Sequence, residues 1–120
     1  MKIGVIGYGM VGTAITKAFK EIEHSVYVYD IKIPESNLEG TLNSDIIYIC
    51  VPTKKLENGS CDTSIVEEIV EKLSKYDYKG TVAIKSTTEP GTTARLQGKF
   101  KNLILAHVPE FLRERCGYED

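Results

Sequence analysis

No run of apolar residues in this chain approaches the roughly 20 that a membrane span requires. A secretory leader would also need a longer apolar stretch and a small-residue cleavage site. Met1 and Lys2 lead straight into a strand-like segment, so a cytoplasmic setting is expected. Charge of one sign is not in excess: 15 Lys and Arg stand against 17 Asp and Glu, for a formal net charge of −2. That balance gives no global attraction to nucleic acid or to an anionic membrane, and neither is expected as a partner. Cysteine is sparse. Cys50, Cys61 and Cys116 are odd in number and match no metal-ligand spacing, so no metal is expected. A disulfide framework does not suit a chain of this class. Cys50 lies within the apolar run Ile46–Val51 and reads as a buried, inert thiol, whereas Cys61 follows Asn58-Gly59-Ser60 and reads as a loop residue.

What is present is the make-up of one globular domain. The 120 residues suffice for a single domain with its own core, and 42% hydrophobic with 27% charged residues is an ordinary balance. Short apolar runs alternate with helical patterns. Lys2–Ile6 is a strand ending at a glycine. Met10–Ile22 follows, with Val11, Ala14, Ile15, Ala18, Phe19 and Ile22 at helical spacing. Ser25–Tyr29 is a second strand and Asp45–Val51 a third, closed by Pro52. Asp62 or Thr63 can cap a helix over Ser64–Tyr76 that buries Ile65, Ile69, Val70 and Leu73. Thr81–Lys85 is a fourth strand, a shorter helix follows Gly91 with Ala94, Leu96 and Phe100, and Leu103–Val108 is a fifth strand. This alternation predicts an α/β fold: a small, shortened Rossmann-type doubly wound parallel sheet of about five or six strands. Such sheets bind ligands beyond the carboxyl ends of their strands. The loops after Ile6, Tyr29, Val51, Lys85 and Val108 therefore share one ligand edge.

Gly7-Tyr8-Gly9-Met10-Val11-Gly12 matches G-x-G-x-x-G between a strand and a helix. The first glycine allows the tight turn, the second lets the backbone approach a pyrophosphate, and the third lets helix and strand pack closely. The helix start then offers N–H groups and a partial positive charge to phosphates. Asp30, 18 residues after Gly12, ends the second strand, near the spacing of about 20 at which an acid receives the ribose hydroxyls. Its charge would repel a 2′-phosphate, so NAD is the expected cofactor. Two other readings stay open: a glycine turn with an acidic strand end and no ligand, and tolerance of NADP through Lys32.

Three later segments narrow the expectation: Ile49-Cys50-Val51-Pro52-Thr53, Lys85-Ser86-Thr87-Thr88-Glu89-Pro90-Gly91-Thr92-Thr93, and Val108-Pro109-Glu110-Phe111-Leu112-Arg113-Glu114. Together with the glycine loop, and in this order, they resemble the UDP-glucose/GDP-mannose dehydrogenase family over nearly the whole chain. The resemblance implies an NAD-dependent oxidoreductase that takes a nucleotide-sugar C6 alcohol to a carboxylate, using two NAD and a covalent thiohemiacetal and thioester on a cysteine. It places Val51, Pro52, Thr53, Ser86, Thr87 and Glu114 beside the cofactor with Gly7, Tyr8, Gly9, Met10, Val11, Gly12 and Asp30. It implies catalytic roles for Thr87, at the nicotinamide and a catalytic water, for Glu110, in acid–base work on the thioester, and for Glu114, near the same water. It implies that Glu110, Phe111, Leu112 and Arg113 lie against a UDP-glucose-like nucleotide sugar. Carboxylates at the ligand edge suit the removal of an alcohol proton and the activation of water.

The residues alone also admit plainer readings. Glu110 and Glu114 are four apart and could share a solvated helical turn with Arg113 and Arg115. Thr87 and Thr88 could cap a turn before Pro90-Gly91. Tyr8 could only cover its loop, and His107 and Lys85 read as strand-end residues.

The chain also departs from the family pattern. Only 14 residues separate Asp30 from Asp45, too few for the usual helix and extra strand, so that flank of the adenosine pocket should be reduced. Lys54 stands for a second proline and Arg115 for a common glycine. The central helix and the UDP-sugar-binding C-terminal domain, with its lysine, asparagine and nucleophilic cysteine, are absent from these 120 residues, and Cys116 does not stand in that cysteine's context. The expectation is a single NAD-binding domain over 1–120, truncated and incomplete for catalysis by itself, with an oligomer left open. The alternative is a stand-alone NAD or nucleotide binder without turnover. A β-hydroxyacid dehydrogenase half is disfavoured by the Pro-Glu-Phe-Leu-Arg-Glu run.

Overall fold

A computed structural model describes residues 2–7, 10–21, 25–30, 33, 36–51, 54–55, 57, 61–86 and 91–108. Five strands form one parallel sheet: β1 (Lys2–Ile6), β2 (Ser25–Tyr29), β3 (Ile46–Ile49), β6 (Thr81–Ile84) and β7 (Ile104–His107), in the spatial order β2-β1-β3-β6-β7. A two-residue hairpin, β4 (Lys54–Lys55) with β5 (Cys61–Asp62), stands apart. Cys61 is thus in a strand, not a loop. The three helices are α1 (Met10–Glu21), α2 (Ser64–Lys75) and α3 (Thr92–Lys99).

The strands are rich in Val, Ile and Tyr, as a sheet covered on both faces requires. Ile3, Val5, Ile6, Ile47, Ile49, Val82, Ala83 and Ile84 are all buried. Alternation divides them. Ile6, Ile47, Ile49, Val82 and Ile84 join the α2 residues Val66, Ile69, Val70 and Leu73 and the α3 residue Leu96 in one core. Val5 faces the opposite layer, where α1 lies, and there the Phe19 ring sits 5.6 Å from that of Tyr48. The sheet therefore carries α1 on one face and α2 with α3 on the other.

Helix registers differ in detail from the pattern reading. On α2 the inward stripe is Val66, Ile69, Val70 and Leu73, while Ile65 is 47% exposed. Ile65 lies on the stripe's margin in the first turn, where that margin faces solvent. On α1 the described inward residues are Gly12, Ile15, Thr16 and Phe19, and Ala14 and Ala18 face water. The Asp62 carboxylate accepts from the Ser64 N–H at 3.0 Å, whereas the Thr63 hydroxyl donates to Glu67 Oε2 at 2.7 Å. At its far end α2 closes through Asp77, which has φ 55°, with Asp77 N–H on Ser74 O and Tyr78 N–H on Leu73 O. This is the paired bonding of a Schellman motif, with Asp where glycine is usual.

The short link between β2 and β3 holds a 3₁₀ segment, Leu38–Asn43, which the pattern did not reveal. Asn37 Oδ1 caps it by accepting from Gly40 N–H at 2.8 Å, and Leu38 and Thr41 are buried. These two 3₁₀ turns are the regular structure described in that link.

Candidate functional site

The strand exits are knitted together at the carboxyl edge of the sheet. Gly7 N–H donates to Tyr29 O (2.8 Å), Cys50 N–H to Ile6 O (2.7 Å), Lys85 N–H to Ile49 O (2.9 Å) and Val108 N–H to Ile84 O (3.0 Å). Each bond extends the ladder past its last strand residue. Gly7, Asp30, Cys50, Val51, Ser86 and Val108 consequently occupy one edge. The crevice between β1 and β3, where strand order reverses, is the position at which open α/β sheets take ligands.

Two glycines of the loop are held by contacts that a side chain would break. Gly7 has φ 97°, a left-handed value that favours glycine, and a Cβ there would lie 2.9 Å from Cys50 C and O and Val51 N. A Cβ on Gly12 would lie 2.0 Å from Gly7 O and 3.4 Å from Val5 Cγ1. The third glycine therefore seats α1 on the turn before it. Met10 and Val11 lie in the first turn of α1, which carries no acidic side chain. Phosphate would meet no competing protein anion on that turn, and the helix start supplies the N–H groups and positive dipole end.

Asp30 follows β2 directly and is half-buried. Its N–H donates to Ser36 Oγ at 3.2 Å, and its carbonyl accepts from Ile33 N–H at 2.9 Å and Ser36 Oγ at 3.0 Å. Ser36 was not singled out by motif, although a Ser-Asn pair before Leu38 is a capping signal that could have found it.

Val51 is buried at the exit of β3. Ser86, 5% exposed, donates its hydroxyl to Val51 O at 2.7 Å, with Ile49 O at 3.3 Å, so the side chain ties two strand exits together. Cys50 is half-buried, not sealed in the core. Lys85 and His107 stand at strand ends, His107 exposed. Tyr8, Gly9, Pro52, Thr53, Thr87, Glu110, Phe111, Leu112, Arg113 and Glu114 lie outside the described residues. Below the edge, Arg95 spans Glu67 with two bonds of 3.4 and 2.9 Å, joining the first turns of α2 and α3. That guanidinium, and then the Thr63 hydroxyl, hold the Glu67 carboxyl below its ordinary range. Among the described residues no helix is long and apolar enough to cross a membrane.

Comparison with known proteins places the chain in a family. The family model described as UDP-glucose/GDP-mannose dehydrogenase family, NAD binding domain, matches residues 32–120. An uncharacterised protein of Methanocaldococcus jannaschii is 41% identical over 84 residues, covering 65% of this chain and 9% of that protein. A UDP-glucose 6-dehydrogenase of Rickettsia prowazekii is 40% identical over 83 residues, covering 65% of this chain and 19% of the relative. Among solved structures, a UDP-glucose dehydrogenase from the hyperthermophilic archaeon Pyrobaculum islandicum superposes with TM-score 0.79 at 26% identity. The match takes in 99% of this chain and 38% of that one. The chain thus spans well under half the length of the proteins it resembles.

Proposed function

The chain belongs to the UDP-glucose/GDP-mannose dehydrogenase family, as its NAD binding domain, and on that premise we propose that it supplies the cofactor half of a nucleotide-sugar oxidation at C6. The observation that carries this reading is the meeting of Gly7, Gly12 and Asp30 at one sheet edge. Gly12 brings the start of α1 against the Gly7 turn, and the Gly7 N–H is bonded to Tyr29 O, one residue before Asp30. A pyrophosphate on the helix start would leave the adenosine ribose toward Asp30. Two hydroxyls suit that carboxylate, whereas a 2′-phosphate would meet its charge.

NAD, when bound, accepts the hydride. The chain's own residues hold it and manage protons. Val51 and Ser86 shape the floor beside the cofactor, with Pro52 and Thr53 following. We assign Thr87 and Glu114 to the nicotinamide side and a water, Glu110 to proton transfer, and Phe111, Leu112 and Arg113 to the nucleotide sugar. Carboxylates beside a cationic nicotinamide favour their ionised forms and so act as bases. The structural relative has length for a substrate half beyond the 38% matched here; we assign residues 1–120 one domain and the sugar pocket to such a second part. Few cysteines, with no pairing pattern, suit a reducing cytoplasm.

Titration calorimetry tests the cofactor reading. Saturable heat is expected at or below about 1 mM NAD, an affinity near 4 kcal/mol, with weaker binding of NADP. No heat at that concentration overturns it. NADH formation with UDP-glucose separates turnover from binding alone. Where turnover is seen, its survival in Thr87→Ala and Glu114→Gln would remove those assignments.

A further inference from the structure

Among the described residues β2 is an edge strand, paired with β1. Among the described strands its exit is flanked on one side, by β1, and the residue that follows it is Asp30. The usual remedy, a helix packed behind the loop, does not fit into this short connection, which holds one 3₁₀ segment. On the side toward α2 an open cleft of about 380 Å³ is lined by Tyr29, Ser36 and Asn37 together with Lys72 and Tyr76.

Among the described contacts, one side chain touches both backbone polar groups of Asp30. The Ser36 hydroxyl donates to Ile33 O at 2.7 Å and to Asp30 O at 3.0 Å, and accepts from Asp30 N–H at 3.2 Å. Ile33 N–H also donates to Asp30 O, and Ser36 N–H to Ile33 O. Both backbone polar groups of Asp30 are thereby closed into one seven-residue ring, with Ser36 touching each. Asn37, next along, donates its N–H to the Tyr27 hydroxyl at 3.2 Å, which anchors the ring to β2.

We infer that Ser36 is a positioning residue for the ribose-binding acid: its hydroxyl fixes the backbone of Asp30 and so sets the preference for NAD over NADP. The inference rests on the NAD reading above. Fixing matters because a carboxylate discriminates between a ribose diol and a 2′-phosphate only while it is held at the ribose. A hydrogen-bonding acid that drifts loses affinity for the diol and relaxes its repulsion of the phosphate together. Residues that orient a binding group commonly change affinity several-fold to tens-fold when removed.

The test is the pair of dissociation constants for NAD and NADP, measured by calorimetry on the 120-residue chain and its variants. Ser36→Ala is expected to weaken NAD by about five- to ten-fold and NADP by much less, so the ratio narrows. Ser36→Thr, which keeps the hydroxyl, is expected to restore most of the ratio. In an Asp30→Ala background Ser36→Ala should leave NAD affinity unchanged, because the two act as one unit. Should Ser36→Ala fail to fold, Ser36→Cys preserves the volume with a weak hydrogen-bonding group and should narrow the ratio in the same direction. If Ser36→Ala or Ser36→Cys weakens both nucleotides equally, or changes neither, the inference is overturned while the NAD reading stands. If the unaltered chain binds no NAD, it is the NAD reading that falls, and this inference with it.

Discussion

Replacing Gly12 with alanine tests whether α1 is seated on the glycine turn through backbone alone. The added Cβ would lie 2.0 Å from Gly7 O and 3.1 Å from Gly7 C. Non-bonded carbon contacts settle near about 3.5 Å, so helix and turn must part by more than about 1 Å. The obstacle is main chain, which cannot rotate away as the end of a side chain can. Overpacking of this sort costs about 1–3 kcal/mol. Alanine's better helix propensity returns at most about 1 kcal/mol, and less in a first turn. The net loss should be about 1–2 kcal/mol, which for a domain of this size lowers the melting midpoint by roughly 3–10 °C. Gly98→Ala is the matched control. It changes the same atoms within a helix, but a Cβ there meets nothing within 4 Å, so it should stabilise by up to about 1 kcal/mol. Urea unfolding followed by far-UV circular dichroism, with unchanged m-values, reads both. The NAD affinity of Gly12→Ala should fall as well, because the helix start moves away from the turn. A Gly12→Ala protein as stable as the unaltered chain would refute the reasoning, since α1 would then tolerate displacement from Gly7.

Three further outcomes are expected. Burial, and then the charge of Asp45, push the Tyr78 phenol up to about 12, so the neutral form is favoured in the fold; its contribution is intact below the ordinary value near 10 and is lost as pH rises toward 12. Ultraviolet titration should show a phenol ionising near 12 that is missing from Tyr78→Phe, and that variant, which strips Ser44 O of its 2.8 Å donor, should cost about 1–2 kcal/mol. The Glu67 carboxyl is held low by Arg95 and Thr63, so its contribution is present above the ordinary carboxylate range and disappears as pH falls through the lowered value. With the pair 33% and 53% exposed, Glu67→Gln should cost no more than about 1 kcal/mol at pH 7, and the gap from the unaltered chain should close in urea titrations as pH falls through the lowered value; a gap that persists once the carboxyl is protonated would show that the charge is not its source. Thr16 is 3% exposed and its Oγ1 has no partner among the described residues, so Thr16→Val should raise stability by about 1 kcal/mol, whereas a fall would show that the hydroxyl is bonded.

Periodicity and packing decide which parts of this chain could be read before folding. β1 and β2 are legible to the residue because Lys2–Ile6 and Ser25–Tyr29 are bounded by a glycine and an acid and filled with β-branched and aromatic side chains. The glycine loop is legible because glycine has a steric cause at Gly7 and Gly12 that no other residue satisfies. Helix position is legible, but helix facing less so. The α2 pattern takes in Ile65 and passes over its neighbour Val66, and only the arrival of the sheet beneath decides that Val66 is covered and Ile65 is not. On α1 the inward row runs through Gly12 and Thr16, a glycine and a hydroxyl that hydrophobic periodicity passes over.

The site divides along the same line. Gly7, Gly12 and Asp30 announce themselves by spacing, because the glycine-turn motif and its following acid have fixed intervals in a strand, turn, helix and strand. Ser36 obeys no spacing imposed from outside. It closes a ring on backbone groups three and six residues earlier, in a connection whose brevity was visible but whose solution was not. Side-chain-to-backbone bonds of this kind leave no period and no apolar stripe. A short link between an edge strand and the next strand must still fix its carboxyl end, and in this chain the hydroxyl of Ser36 is the group placed to do so. The brevity of the Asp30–Asp45 link is therefore not simply a loss from the adenosine flank. On the inference above, it gives the Ser36 hydroxyl, bonded to both backbone polar groups of Asp30, a share in placing that acid.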